Sequence, residues 1–443
     1  MTRLVLVAAA CGAVLLSACC QSMAANVGCM VYNNDLIFTD VELRRLEKAT
    51  EIQYVGVQTS SPAPHQREVA SRLARSGKKL ILQIWWGPES PHSWSRFSMA
   101  NIAQDAKIRG EFFREVVDPI IDSIGPDNIY AVHMLEETAG QFATDSLDPG
   151  DPDDYSDDSG GGYSSPYYTG YSGGGAYGGP WILPLRRHNA DFRRFSGYDL
   201  FESSIWTGPE WAAYRQWVCR RIQALANVRF AEHIQKKYPG VLATTWDGPD
   251  FGGVHCADTP AMLGAIDGFS LNAYMSPLQN YIYARTVRAL DFDKVFQFMS
   301  WVGRDNLDVN QRRAMLASIY LAGSDIIHLW EEPRRAYARD ELWTIMQKMY
   351  GSFSSLPVFR HKPDVFVICG QWNVPSYFLK NFDCAHHEDA QGYGLGRYKI
   401  VLLDGPEHPG LKDWVSSGGI AVAFNRRPAF ITDAQVSLSL IHI

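Results

Sequence analysis

The sequence predicts an α/β protein, a (β/α)8 TIM barrel followed by a smaller Rossmann-like α/β domain that is incomplete. Three observations carry this expectation. Eight short apolar runs alternate with longer amphipathic stretches over residues 25–355, the pattern of parallel strands joined by helical crossovers. Polar and aromatic residues recur at the C-terminal ends of those runs, and a barrel gathers such ends at one mouth where the rival open, doubly wound sheet does not. The chain has 443 residues, 46% hydrophobic and 20% charged, which is enough to bury a large core.

The elements follow in order. Residues 1–24, "MTRLVLVAAACGAVLLSACC" and the next four, read as an export signal, because the apolar run is too short to span a membrane and ends in small residues. Leu16-Ser17-Ala18-Cys19 resembles the lipobox of bacterial lipoproteins, which implies lipidation of Cys19 and a cell-envelope location facing periplasm or exterior. Ordinary cleavage after Ala24 is the alternative. The eight runs are "VGCMVY", "IQYVGVQ", "KLILQIWW", "IYAVHMLE", "VLATTWD", "IDGFSLNAY", "VFQFMSW" and "DIIHLWEE". Helices are expected over "DVELRRLEKA", "HQREVASRLARSG", "RGEFFREVVDPIIDSIG", "EWAAYRQWVCRRIQALANVRFAEHIQKKY" and "NQRRAMLASIYLAG". A low-complexity insertion over about residues 143–180 follows the fourth run, and its Gly, Ser, Asp and Tyr cannot build a core.

Beyond the barrel, residues 356–437 contain "DVFVICG", a helix-like "PSYFLKNFD", the strand "YKIVLLDG" and "HPGLKDWVSSGGIAVAF". The last segment resembles the helix-Gly-Gly-strand of glutamine-amidotransferase-like domains. Cys369 is followed by Gly-Gln-Trp-Asn and lacks a nucleophile elbow, so a structural or assembly role, including homo-oligomer formation, is expected over amidotransfer. Residues 438–443, "LSLIHI", read as adaptor-derived sequence outside the natural chain.

Charge and cysteine content exclude some functions. Lys+Arg 41 against Asp+Glu 48 gives a formal net charge of -7, with no basic stripe to neutralise phosphates, so nucleic acid is not an expected partner. The eight Cys are scattered without CxxC spacing, and no structural metal or cofactor is implied. The acidic run of the insertion lacks the spacing of a calcium loop. Thirteen Trp offer flat apolar faces on which sugars can stack, although Trp is also ordinary core material.

The candidate chemistry lies in "AVHMLEETAGQ", residues 131–141, where a strand-like run ends in Glu136 and Glu137. Cleaving a glycosidic bond needs one carboxylic acid to protonate the leaving oxygen and one carboxylate to attack or to activate water. Neighbouring like charges raise one pKa, as an acid working near neutral pH requires. Adjacent residues on a strand point to opposite sides, however, so the two cannot both face one spot unless the strand has ended. The barrel with acids at its mouth and the trailing domain resemble retaining (β/α)8 glycoside hydrolases of the β-galactosidase and cellulase-like clan. The resemblance implies Glu137 as general acid/base, with Glu136 standing where the family has Asn. The family's nucleophile ends the seventh strand, but here that run ends in Trp301. Glu331 is therefore the preferred second carboxylate and Asp247 the next.

Trp85, Trp86, Trp246, Asn272, Tyr274, Trp301, Trp330 and Glu332 are expected to bind substrate. His133 and His328 are expected to be hydrogen-bonded core residues. A substrate-assisted mechanism of hexosaminidase type needs no second nucleophile and stays open, as does a non-catalytic, carbohydrate-binding surface lipoprotein.

Overall fold

The computed structural model describes residues 26–31, 40–60, 64–85, 97, 99–134, 189–199, 213, 217–245, 262–273, 276–291, 293–301, 308–331, 340–357, 359, 362–369, 382–386, 393–404 and 408–423. The eight expected strands are present as β1 (Asn26–Val31), β2 (Tyr54–Ser60), β3 (Lys79–Trp85), β4 (Ile129–Met134), β5 (Leu242–Thr245), β6 (Gly268–Ala273), β7 (Val295–Trp301) and β8 (Ile326–Glu331). Each pairs in parallel with the next, and β8 closes on β1. The pairings run Met30–Gly56–Ile81–Ala131–Leu242, and carried on through β6, β7 and β8 they return to β1 eight residues below Met30. That offset is the stagger of (β/α)8 barrels.

The barrel helices described are α1 (Asp40–Lys48), α2 (Pro64–Arg75), α3 (Met99–Gln104), α4 (Ala106–Phe112), α5 (Asp118–Ile124), α6 (Asn189–Ser196), α7 (Ala224–Lys237), α8 (Pro277–Arg288), α9 (Val309–Leu321) and α10 (Asp340–Ser354). A π turn over Phe113–Val117 joins α4 to α5, and another over Val218–Gln223 leads into α7. Side-chain caps set two helix starts. Asp105 accepts from the backbone of Lys107 and Ile108, and Asp308 forms a reciprocal capping box with Gln311. Helices α3, α6, α8 and α10 were not singled out individually in the sequence. In α8 the reason is physical: Arg285 and Arg288, each 1% exposed, stand buried where an amphipathic pattern calls for apolar residues.

Alternation along the strands separates two environments. Val55, Val57, Leu80, Leu82, Ile84, Val132, Ala243 and Phe269 pack in the main core, which includes Leu73, Val116, Ile121 and Phe230 of the surrounding helices. The intervening residues face the barrel interior. Tyr54, Ile81, Ala131 and Ile326 form an apolar cluster there.

A second, four-stranded parallel sheet holds β9 (Val365–Cys369), β10 (Phe382–His386), β11 (Ile400–Asp404) and β12 (Ile420–Ala423) in the order β10-β9-β11-β12. The helix expected over "PSYFLKNFD" is corrected at its end, because Phe382 and Asp383 begin β10. Asp383 is fully buried, and a charged residue inside a strand gave the sequence no apolar signal to read. Helix α11 (Leu411–Ser416) precedes β12, and its Leu411 packs with Phe366, Val401 and Leu403 on one face of the sheet.

This sheet is joined to α8 by buried polar contacts. Arg285 pairs with Asp383, the Tyr393 hydroxyl donates to the Thr286 carbonyl at 2.9 Å, and Arg397 donates to the Ala289 carbonyl. Barrel helices run antiparallel to the strands, so this end of α8 lies toward the face where the strands begin. The trailing sheet therefore anchors at the end of α8 remote from the C-terminal strand ends.

Candidate functional site

The C-terminal ends of β1 to β8 define the mouth. Among the residues expected there, Trp85, Asn272, Trp301, Trp330 and Glu331 belong to described strands, where their backbone register is defined. Trp86, Glu136, Glu137, Trp246, Asp247, Tyr274 and Glu332 lie outside the described residues, as do Cys19 and the insertion. The register brings Trp301, Trp330 and Met30 into one row across β7, β8 and β1, and Asn272 into a row with Met299, His328 and Gly28. Glu331 is in register with Val31, which pairs with Val57. Val57 is fully buried in the core that faces the helices.

Above the apolar base, the barrel interior becomes polar. Gln83, His133 and Ser270 are fully buried and Thr244 is 3% exposed. Each alternates with a helix-facing core residue, so all four face inward. Gln83 and His133 are in register on β3 and β4, and Thr244 is in register with Gly268. A closed barrel of this size usually fills its interior with branched apolar residues. Buried polar groups cost free energy unless they are hydrogen-bonded, so this layer departs from the cheapest filling directly beneath the strand ends.

Sequence reasoning placed His133 in the core, where it lies, but did not single out Gln83, Thr244 or Ser270. The signal was a polar residue standing within each apolar run, Gln83 in "KLILQIW", Thr244 in "LATT" and Ser270 in "GFSLNA". Among the described residues, no group of three or more His, Cys, Asp or Glu could hold a metal ion. No helix among them is long and apolar enough to cross a membrane.

Two other polar clusters brace the barrel wall. Asp118 lies 2.7 Å from His233 Nε2, 2.9 Å from Lys237 Nζ and 3.1 Å from the Tyr238 hydroxyl. Burial by itself would raise the Asp118 carboxyl, but the hydrogen bonds and charges of Lys237 and His233 outweigh it and hold the group below its ordinary value. Asp191 accepts from Trp217 Nε1 at 2.9 Å, Gln104 at 3.1 Å and Arg221 at 3.1 Å, tying α6 to α3 and to the turn before α7. Both carboxylates are engaged in joining helices.

No protein-family model and no curated protein sequence matches this chain. Its fold is similar to that of a GH42 β-galactosidase from G. stearothermophilus, with a TM-score of 0.57 and 12% identity over 91% of this chain and 72% of that one. It is also similar to an exo-β-1,4-mannosidase from Opitutaceae bacterium strain TAV5, with a TM-score of 0.50 and 12% identity over 93% of this chain and 79% of that one. At this identity the likeness is one of fold.

Proposed function

We propose that this protein is a glycoside hydrolase acting on poly- or oligosaccharide at the mouth of its barrel, with Glu137 as general acid/base. The observation that carries the reading is the buried polar layer inside the closed barrel, where Gln83, His133, Thr244 and Ser270 lie toward the C-terminal strand ends. In the reaction, a carboxyl group at the mouth gives its proton to the leaving oxygen while a second carboxylate attacks the anomeric carbon or activates a water. Trp85, Trp86, Trp246, Trp301 and Trp330 would supply apolar faces for sugar rings. The fold likeness to a β-galactosidase and a mannosidase supports carbohydrate as the substrate class.

Export and anchoring through lipidated Cys19 belong to the same reading, because a cell-envelope hydrolase would meet saccharides outside the cytoplasm. The trailing sheet is read as a Rossmann-like structural module, or as an assembly module for a homo-oligomer. One observation favours a second reading. β7 ends in Trp301 rather than a carboxylate, as a non-catalytic carbohydrate-binding protein or a substrate-assisted enzyme would allow.

The test is hydrolysis of a panel of aryl glycosides by the full chain and by Glu137→Gln. Loss of at least about 10²-fold in the variant is expected for a general acid. Equal rates in the two proteins would remove Glu137 from the mechanism.

A further inference from the structure

We propose that the trailing sheet carries a zinc site at the C-terminal edge of three adjacent strands, with Cys369, His386 and Asp404 as the protein ligands. The site goes beyond the hydrolase reading and stands without it.

Main-chain pairing places the three residues. Cys369 ends β9, His386 ends β10 and Asp404 ends β11. His386 is in register with Cys369 on one side, and Asp404 is in register with Cys369 on the other. Residues paired across parallel strands lie on one face of a sheet. The three therefore form a row, with Cys369 in the middle and a neighbour about 5 Å away on each side. Two positions earlier on the same strands stand Val367, Cys384 and Leu402, and four positions earlier Val365, Phe382 and Ile400. Val367, Phe382 and Leu402 form a buried cluster with Ile282 of α8 packed against it. A largely apolar face thus changes, at the last step of all three strands together, to three residues of metal-binding type.

The topology supplies a second observation. The sheet order is β10-β9-β11-β12, so the chain passes from β9 to β10 on one side and returns to β11 on the other. Open parallel sheets bind ligands beyond the C-terminal strand ends where the order reverses in this way. Here the reversal falls between β9 and β11, the strands that end in Cys369 and Asp404.

The donor set selects the ion. A soft thiolate with an imidazole suits zinc rather than magnesium or calcium, and a carboxylate completes a set that zinc accepts. Thiolate and carboxylate balance the charge of the ion, and on binding the Cys369 thiol proton passes to water. Three protein ligands leave one tetrahedral position open. No spacing motif announces the set, because the ligands come from three separate strands. The described side chains hold no group of three such donors, and the side chains of Cys369, His386 and Asp404 lie outside them.

The test is metal binding by the full chain. Protein stripped with a chelator and dialysed against zinc is expected to retain about one equivalent per chain. Cobalt in its place should give a thiolate-to-cobalt charge-transfer band together with the visible bands of a tetrahedral centre. Cys369→Ser should abolish the charge-transfer band, whereas Cys384→Ser, one row inside, should keep it. His386→Ala and Asp404→Ala should each weaken zinc binding by more than the roughly 10–100-fold typical of losing an outer partner. In the wild-type protein zinc should protect Cys369 from iodoacetamide, read by peptide mass, a measurement that needs no variant to fold. Absence of stoichiometric zinc, a charge-transfer band that survives Cys369→Ser, or equal alkylation of Cys369 with and without zinc overturns the site. None of these readouts uses glycoside hydrolysis, so failure here leaves the hydrolase reading standing.

Discussion

Arg285 of α8 and Asp383 of β10 form an ion pair at 2.6 Å, with side chains 1% and 0% exposed. Arg285 Nε also donates to the same oxygen at 3.0 Å, and its third nitrogen donates to the Ala322 carbonyl. The second Asp383 oxygen accepts from the Tyr398 hydroxyl at 2.8 Å, and Tyr398 in turn accepts from Arg397. Burial pushes the Asp383 carboxyl up, against the pull of Arg285 and Tyr398. One residue turn further on, Arg288 pairs with Asp325 at 3.1 Å just before β8. The same helix thus holds the barrel with one arginine and the trailing sheet with the other.

Removing one member of such a pair leaves an uncompensated buried charge. Asp383→Ala is therefore expected to destabilise the protein by about 3–5 kcal/mol. Replacing both members, as Arg285→Met with Asp383→Leu, is expected to cost much less. Chemical denaturation of the single and double variants checks this, and equal losses in both would contradict it.

Gly268 opens β6 at a position with no room for a side chain. A Cβ there would lie 2.5 Å from the Val295 carbonyl oxygen and 3.2 Å from Thr244 Cγ2. The first contact is with backbone, which cannot swing aside. Gly268→Ala is expected to cost about 1–3 kcal/mol, read as a lowered thermal midpoint with an unchanged far-ultraviolet spectrum.

Thr244 buries a hydroxyl for which the described residues supply no hydrogen-bond partner. Thr244→Val keeps the shape and removes the desolvated group, so it is expected to leave stability unchanged or raise it by about 1 kcal/mol. A loss above that size in a denaturation curve would mean that the hydroxyl is satisfied by ordered water.

The Asp118 carboxyl is held below its ordinary value in the folded state. A carboxylate of this kind stabilises the fold above its unfolded pKa, and that contribution is lost as pH falls through the depressed folded value. Wild-type stability should therefore decline on the acid side, and Asp118→Asn should show a shallower decline from a lower plateau. Thermal midpoints measured from neutral pH downward test both features.

The eight barrel strands were legible because each is an apolar run bounded by turn residues, and local alternation survives without knowledge of partners. Helix α8 was not legible, because Arg285 and Arg288 satisfy their charge on Asp383 and Asp325, which are distant in sequence. β10 was missed for the complementary reason, since Asp383 is a strand residue only once Arg285 is beside it. Of the candidate site, the acids and tryptophans could be read as residue types at strand ends. Their heights around the ring could not.

By itself the sequence determined the strand count and the parallel α/β order of the barrel. These follow from hydrophobic periodicity, which is local. Only the tertiary structure decided the closure of β8 on β1, the offset of eight residues around the ring and the anchoring of the trailing sheet on α8. Register is set by hydrogen bonds between strands far apart in the chain, and a shift of one residue exchanges the two faces of a strand.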